Sequence, residues 1–298
     1  MKALIAALAA GAAVSTLTLT AMPSASAAPT GPTKACGADR SAGLEAVAIA
    51  ASGTLLCLDV RNPGDARAIG KVTGLDSGSR LIGIDYRPEN GKLYGVGTNG
   101  GLYTIHTGTA KATKVATMSI TPSGATFGVD FNPVVDRLRI VSDTGQNLRV
   151  DVATGATTAD TDLTNPVPAP GTGTQGARGV TGAAYTNNDK LARTDTATTL
   201  FDIDTVLDRV ALQSPANAGT LAPTGRLGID VAAENGFDVY SYLSKGVATR
   251  NVAFAALRTG SRTALYRVDL LDGSVVSLGR FAAKRGEIIG LALPLNQR

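Results

Sequence analysis

The sequence predicts an all-β fold, a five-bladed β-propeller of four-stranded antiparallel blades, and three observations lead there. The first is repetition. Gly83-Ile84-Asp85-Tyr86-Arg87-Pro88 with Lys92-Leu93-Tyr94 recurs 45 residues later as Gly128-Val129-Asp130-Phe131-Asn132-Pro133 with Arg137-Leu138-Arg139, and such an offset is the period of a four-stranded blade. The second is composition. With 35 glycines among 298 residues, 4% aromatics and no Trp, the chain suits short strands joined by tight turns. The third is that the two ends complement each other. Ile288-Ile289-Gly290-Leu291-Ala292-Leu293 copies the strand pattern Leu81-Ile82-Gly83-Ile84 just before the chain stops. Near the N-terminus, three strands lack a first. Pairing residues 287–293 with those strands completes a fifth blade and removes exposed sheet edges. Six blades and an open β-sandwich are the competing architectures.

Taken in order, residues 1–27 read as a signal peptide: Lys2, an apolar run from Ala3 to Ala13, and small residues at Ala25 and Ala27 for cleavage after Ala27. The apolar run is too short for the roughly 20 residues that span a bilayer. Residues 28–43 form a linker, and residues 44–298 a single propeller domain. Export makes a disulfide between Cys36 and Cys57, the only two cysteines, the expected state. It would tie the N-terminal segment to an early strand and contribute about 3 kcal/mol in the chain-entropy model.

The strands expected next are Ala46 to Ile49, Thr54 to Val60 and Ala66 to Val72. The first full blade runs from Leu81 to Ala116 and the second from Phe127 to a strand near Thr157. A third is read as Val180 to Tyr185, Lys190 to Arg193, Leu200 to Ile203 and a strand around Leu221. The fourth holds Phe237 to Tyr240, Val252 to Leu257, Leu265 to Asp269 and Val275 to Leu278. Residues 161–179, rich in Thr, Pro and Gly, break the rhythm and read as a long loop, either mobile or a lid.

Several chemistries are excluded by what the chain lacks. A single histidine, His106, forbids His-rich zinc sites, and no Gly-x-Ser-x-Gly elbow accompanies it for a Ser-His-Asp triad. His106 reads as an exposed strand-end residue. No dinucleotide fingerprint or P-loop is present. The formal charge of +4 is scattered in single residues, so nucleic acid is not an expected partner, nor is membrane insertion.

Carboxylates remain. Asp85 and Asp130 hold equivalent places at the end of a blade's first strand, nearest the central channel, with Asp230 and Asp238 echoing the theme. Two readings stand for them: a Ca²⁺ site, since calcium takes six to eight oxygens from Asp, Asn and carbonyls, or carboxylates that accept backbone N–H groups and shape each turn. A glycosidase needs a carboxylate pair at a cleft. Of the four glutamates, Glu89 and Glu234 occupy Glu-Asn-Gly turns that read as solvent-facing, while Glu45 and Glu287 are expected near one blade. Asp136, Arg137, Arg139, Asn147 and Arg149 alternate on neighbouring strands as a cross-strand polar ladder or an anion site.

Gly128 to Pro133, Asp136 to Ser142, Gly145 to Arg149, Asp202-Ile203-Asp204, Gly236 to Val239 and Leu265 to Leu270 together resemble the bacterial exported family known as domain of unknown function 4394, over about residues 44 to 293. The resemblance implies a secreted, propeller-like domain and carries over no catalytic residue. Thr181-Gly182-Ala183-Ala184-Tyr185 lacks the acidic residue matching Asp85, so five equivalent carboxylates are not expected. The functional expectation is a secreted, monomeric, non-enzymatic binding module for an extracellular ligand or protein. The alternative is a calcium-dependent propeller enzyme of hydrolase or lactonase type, acting on a carbohydrate or lactone.

Overall fold

A computed structural model describes residues 35–36 and 43–297. The expected signal peptide, its cleavage position and nearly all of the linker lie outside the described residues.

The described chain forms five four-stranded antiparallel sheets arranged as the blades of a propeller. Blade I contains β1 (Glu45–Ala50), β2 (Thr54–Asp59) and β3 (Arg67–Lys71). Blade II contains β4 (Leu81–Tyr86), β5 (Leu93–Gly97), β6 (Gly101–Ile105) and β7 (Ala112–Thr117). Blade III contains β8 (Phe127–Asn132), β9 (Arg137–Ser142), β10 (Asn147–Val150) and β11 (Thr157–Ala159). A small hairpin, β12 (Thr164–Pro166) and β13 (Thr174–Gly176), follows. Blade IV contains β14 (Val180–Tyr185), β15 (Leu200–Asp204), β16 (Arg209–Gln213) and β17 (Leu221–Arg226). Blade V contains β18 (Asn235–Ser244), β19 (Val247–Thr259), β20 (Arg262–Val268) and β21 (Val275–Arg280). Last comes β22 (Ile288–Ala292), which pairs antiparallel with β1 in the register Val47 to Ala292 and Ala48 to Leu291, and so supplies the innermost strand of blade I.

Two sequence expectations are corrected. Lys190 to Arg193 is not a strand. Asp189 accepts a hydrogen bond from the Leu191 N–H (2.7 Å) and another from the Thr196 hydroxyl (3.0 Å), and these local bonds hold the chain in an irregular excursion between β14 and β15. The strand missed in its place is β16, whose Val210 and Ala211 are buried. Residues 161–179 are also not a structureless loop. The β12–β13 hairpin packs Leu163 and Ala177 into the seam between blades III and IV, and Asn165 accepts a hydrogen bond from Arg209 (2.6 Å).

The core is divided among the seams between blades, one apolar cluster to each. Four are large and mix aliphatic with aromatic side chains. The fifth, between blades III and IV, is the smallest, and polar side chains fill the remainder of that seam. The Cys36–Cys57 disulfide is formed, and both residues belong to the cluster between blades I and II.

At the centre, β4, β8, β14, β18 and β22 contact one another in a closed ring. Each carries a glycine at the same place: Gly83, Gly128, Gly182, Gly236 and Gly290. A Cβ built on Gly128 would lie 2.5 Å from the Ala183 nitrogen, and one on Gly236 would lie 2.5 Å from the Gly290 carbonyl carbon. Neighbouring inner strands therefore approach so closely that only hydrogen fits, and the axial cavity they leave is about 10 Å³, room for about one water. Gly128→Ala should destabilise the protein by about 3 kcal/mol, because the obstacle is backbone and cannot rotate away. Gly176→Ala, with nothing within 4 Å of its built Cβ, should stay within about 0.5 kcal/mol of wild type. Chemical denaturation of the two variants checks the contrast, and equal stabilities would refute the close-packed axis.

Candidate functional site

Below the glycine ring, two residues further along the inner strands, stand Asp85, Asp130 and Asp238, with Ala184 and Ala292 in the other two blades. All three aspartates are buried, and an oxygen from each lies within 4.8 Å of the others. The structure thus brings together the two sequence candidates and Asp238, whereas Asp230 is exposed and plays no part.

The geometry explains why they are there. One edge of each inner strand pairs with its own blade, and the other faces the axis, where no strand is available. The N–H groups of Tyr86, Phe131, Tyr185, Val239 and Leu293 point that way. Asp85 accepts from Phe131 of the next blade (2.7 Å), Asp130 from Tyr185 of the next (2.9 Å), and Asp238 from Leu293 of the next (2.5 Å). Blades II and V follow blades whose equivalent residue is alanine. There the second oxygen turns back on its own strand: Asp85 accepts from Tyr86 (2.6 Å) and Asp238 from Val239 (2.5 Å). Three carboxylates thus satisfy five N–H groups and clasp blade II to III, III to IV, and V to I.

Burial raises the pKa of all three. Asp85 is pushed well above the usual carboxylate range by desolvation and then by the charge of Asp238, and Asp130 by desolvation and then by Asp85. Asp238 is raised by burial to about 7. As for calcium, two oxygens on one ion lie at most about 5.2 Å apart, and the 4.8 Å spread meets that limit. Most of these oxygens already accept N–H groups, however, and three carboxylates alone fall short of the six to eight oxygens calcium takes.

On the face where the inner strands begin, a funnel of about 370 Å³ sits over the closed axis. Blade II contributes Arg80 and Leu81, blade III Thr126 and Phe127, blade V Glu234 and Asn235, and blade I Glu287 and Ile289. Asn235, like Phe127 and Ile289, lines both the funnel and the small axial cavity. Its amide nitrogen donates to Thr181 Oγ1 (2.5 Å) and to the Ala233 carbonyl (3.0 Å), while its Oδ1 is buried with no partner. Thr126 Oγ1 is likewise buried and unpartnered. None of the three axial carboxylates lines the funnel or the cavity beneath it.

The glutamates are redistributed relative to the sequence reading. Glu234 is not solvent-facing: Arg258 Nη2 donates to its Oε2 (2.5 Å), and that bond holds its carboxyl below the usual range. Glu287 lies 3.7 Å from Arg258 Nε. Glu45 does not join it, because β1 and β22 run antiparallel and place Glu45 at the opposite end of blade I. Glu89 is exposed, as is His106.

Arg139, Asn147 and Arg149 assemble in the seam between blades III and IV. Arg139, only 1% exposed, donates to Asn147 (2.8 Å), Asp160 (2.7 Å), Asn217 (2.7 Å) and the Tyr185 hydroxyl (3.3 Å). Arg149 makes two bonds to Asp160 (3.1 and 3.0 Å). Register places Asp130, Arg139 and Arg149 side by side across three strands, so a cross-strand polar arrangement is present. Two members lie apart from it. Asp136 turns to Arg87 of the preceding blade, and Arg137, half-exposed, lies 3.2 Å from Asp151. Asp202 faces the same seam with neither carboxylate oxygen partnered. Burial pushes its pKa well up, against the opposing pull of Arg139.

Sequence reasoning missed the funnel residues Thr126 and Asn235, the bridging Asp160 and Asn217, and the glycine ring. Of these, only the ring left a signal, a glycine recurring 45 and then 54 residues apart in every first strand.

With this geometry in place, the chain is assigned: it belongs to the family described as domain of unknown function (DUF4394), whose profile matches residues 54–292. No curated protein matches it in sequence. Among solved structures it is similar to a chain of the nidogen/laminin complex, at 11% identity and a TM-score of 0.46, covering 86% of this chain and 100% of that one. A protein of unknown function from Bacteroides thetaiotaomicron gives 15% identity, a TM-score of 0.42, and coverage of 80% and 58%. An auxiliary nutrient binding protein from Bacteroides ovatus gives 13%, 0.38, and coverage of 75% and 56%. This chain thus spans under two thirds of either Bacteroides protein, and likenesses at these values do not bear on function.

Asp130→Ala should cost about 1–3 kcal/mol by stranding the buried Tyr185 N–H. Asp130→Asn keeps an acceptor and removes a charge, so it should be at least as stable as wild type at pH 8. A carboxyl whose folded pKa is raised contributes stability that is full below the unfolded value of about 4 and lost as pH rises through the folded value, here about 7 for Asp238. Wild-type stability should therefore fall between pH 5 and pH 8, and Asp130→Asn should flatten that fall. Denaturation curves at the two pH values check both, and an Asp130→Ala protein of wild-type stability would refute the clasp.

Proposed function

We propose that this protein is a secreted, monomeric, non-enzymatic binding module that takes a small ligand in the axial funnel. The observation that carries the reading is the funnel itself: a concave site of about 370 Å³ where four blades meet, with Leu81, Phe127 and Ile289 beside Arg80, Glu234 and Glu287. A pocket with an apolar wall and a few convergent polar groups is the usual form of a small-molecule site. The disulfide fits an oxidising compartment, in keeping with export. No helix among the described residues is long and apolar enough to cross a membrane. Ala125 is an exposed funnel residue, so Ala125→Trp should fill the mouth without disturbing the core. In a ligand-observed NMR screen of small polar and charged fragments, wild type should give hits that Ala125→Trp abolishes. Hits indifferent to the substitution would place binding elsewhere and end this reading.

A calcium-dependent enzyme of hydrolase or lactonase type has one observation in its favour, the convergence of Asp85, Asp130 and Asp238. Against it, a metal held there lies beneath the glycine ring, out of reach of a substrate in the funnel. The melting temperature should be the same in calcium and in chelator. A calcium-dependent rise of several degrees would restore the axial metal.

A further inference from the structure

The seam between blades III and IV opens on the face opposite the funnel, where the inner strands end. We propose that the groove there binds a small organic monoanion, its carboxylate or sulfate-ester head group received by Arg149, Asn132 and Asn217 and its apolar body laid against Val135 and Pro215. This second site does not depend on the funnel.

Strand alternation builds one wall. Side chains two apart along a strand share a face, so Arg137 stands with Arg139 on β9. Register then sets Arg149 of β10 beside Arg139, and Asn132 of β8 beside Arg137. The connection between β16 and β17 in blade IV supplies the other wall with Pro215 and Asn217. Between the walls lies an open groove of about 400 Å³, within the roughly 300–1,000 Å³ of small-molecule sites.

What the groove offers is donors. Asn132 Oδ1 accepts from the Val134 and Val135 N–H groups (2.9 and 3.2 Å), and Asn217 Oδ1 accepts from Arg139 Nη2 (2.7 Å). Those partners can only donate, so both amides are fixed with the oxygen committed and the nitrogen left over. Neither Nδ2 has an acceptor among the described residues. Arg149 commits Nε and Nη2 to Asp160 (3.1 and 3.0 Å), and its Nη1 has no acceptor among the described residues either. A guanidinium carries five N–H donors, so one edge of the fork remains for a second oxyanion. These donors can be reached. Asn217 is exposed, the Arg149 side chain is 32% exposed, and neither Asn132 Nδ2 nor Arg149 Nη1 is enclosed.

Charge selects the sign and the size of the head group. Asp160 is a single carboxylate shared by Arg139 (2.7 Å) and Arg149 (3.0 Å), and Arg137 has Asp151 at 3.2 Å. Three cations thus face two anions, an excess of one positive charge. Asp136 is turned to Arg87. Asp130 and Asp202 lie deeper in the seam, and neither accepts a hydrogen bond from any of the three arginines. A singly charged oxyanion matches that excess. Val135, 44% exposed, and Pro215, also exposed, give its body an apolar surface.

The test is ligand-observed NMR titration of wild type, Arg149→Gln, Arg149→Lys, Val135→Asp and Ala125→Trp, each first shown to melt as wild type does. The probes are benzoate and phenyl sulfate, with benzamide as the neutral control and inorganic phosphate as the more highly charged one. One or both organic anions should bind saturably and more tightly than either control, and less tightly at about 0.5 M than at about 0.05 M salt. Which of the two binds separates a carboxylate from a sulfate ester. Arg149→Gln should weaken binding about 10-fold or more, and Arg149→Lys, which keeps the charge but not the fork, by less. Val135→Asp alters an exposed side chain and none of the seam's bonds, and it should abolish binding. Ala125→Trp, on the other face, should leave binding unchanged. Benzamide or phosphate binding as tightly as the organic anions overturns the monoanion, and binding of neither anion overturns the site. Binding that survives Val135→Asp but is lost in Ala125→Trp moves the anion to the funnel and overturns the groove.

Discussion

Five backbone N–H groups point at the axis of this ring, and three carboxylates answer them. That arithmetic governs the centre of the molecule. The inner strands stand too close for any Cβ at the glycine positions, which shuts bulk water out of the axis. Once water is excluded, an unpaired amide is expensive, and each Asp side chain reaches across to the following blade to provide an acceptor. Close approach and carboxylate clasp therefore depend on each other. Burial raises the pKa of all three groups, and the neighbouring carboxylates add to the rise at Asp85 and Asp130.

The seams divide the remaining work unevenly. Four are held mainly by apolar contact, aliphatic and aromatic. The seam between blades III and IV is held by a buried guanidinium with four hydrogen bonds to side chains from three parts of the chain. Directional bonds of this kind fix one arrangement and penalise others. Asn217 supplies that guanidinium with an acceptor, while the residues flanking the β12–β13 hairpin add Leu163 and Ala177 to the seam's apolar part. Asp202, its pKa raised by burial, sits where an ionised carboxylate without hydrogen bonds would be costly.

Repetition made much of this legible. Thirteen strongly patterned strand segments around Asp85, Asp130, Asp238 and Gly290 marked the blades, and the Asp-bearing motif marked the axis, because symmetry forces equivalent residues into equivalent places. Symmetry also set the limit of legibility. The funnel has no repeat: Thr126, Glu234 and Asn235 meet only because four different blades converge there, and no pairwise spacing in the chain records that meeting. Blade IV was misread for a related reason. Its Lys190 to Arg193 segment fits a strand by spacing, but Asp189 gives the backbone a competing set of partners. Asp136 was placed in the ladder by its neighbours, yet its left-handed φ of 52° turns it toward Arg87 and away from Arg139.

The pairing of β22 with β1 sets an order of events. Four blades draw all their strands from continuous stretches and can take shape as those stretches emerge. Blade I cannot, because its innermost strand follows all the other blades in the chain, and until it is made β1 is an open edge of the kind that pairs with other chains. Joining segments so far apart along the chain carries a closure cost that grows only slowly with length, but it comes late and all at once. The ring is thus a latch. The arrival of β22 decides when the molecule ceases to be a row of adhesive sheets.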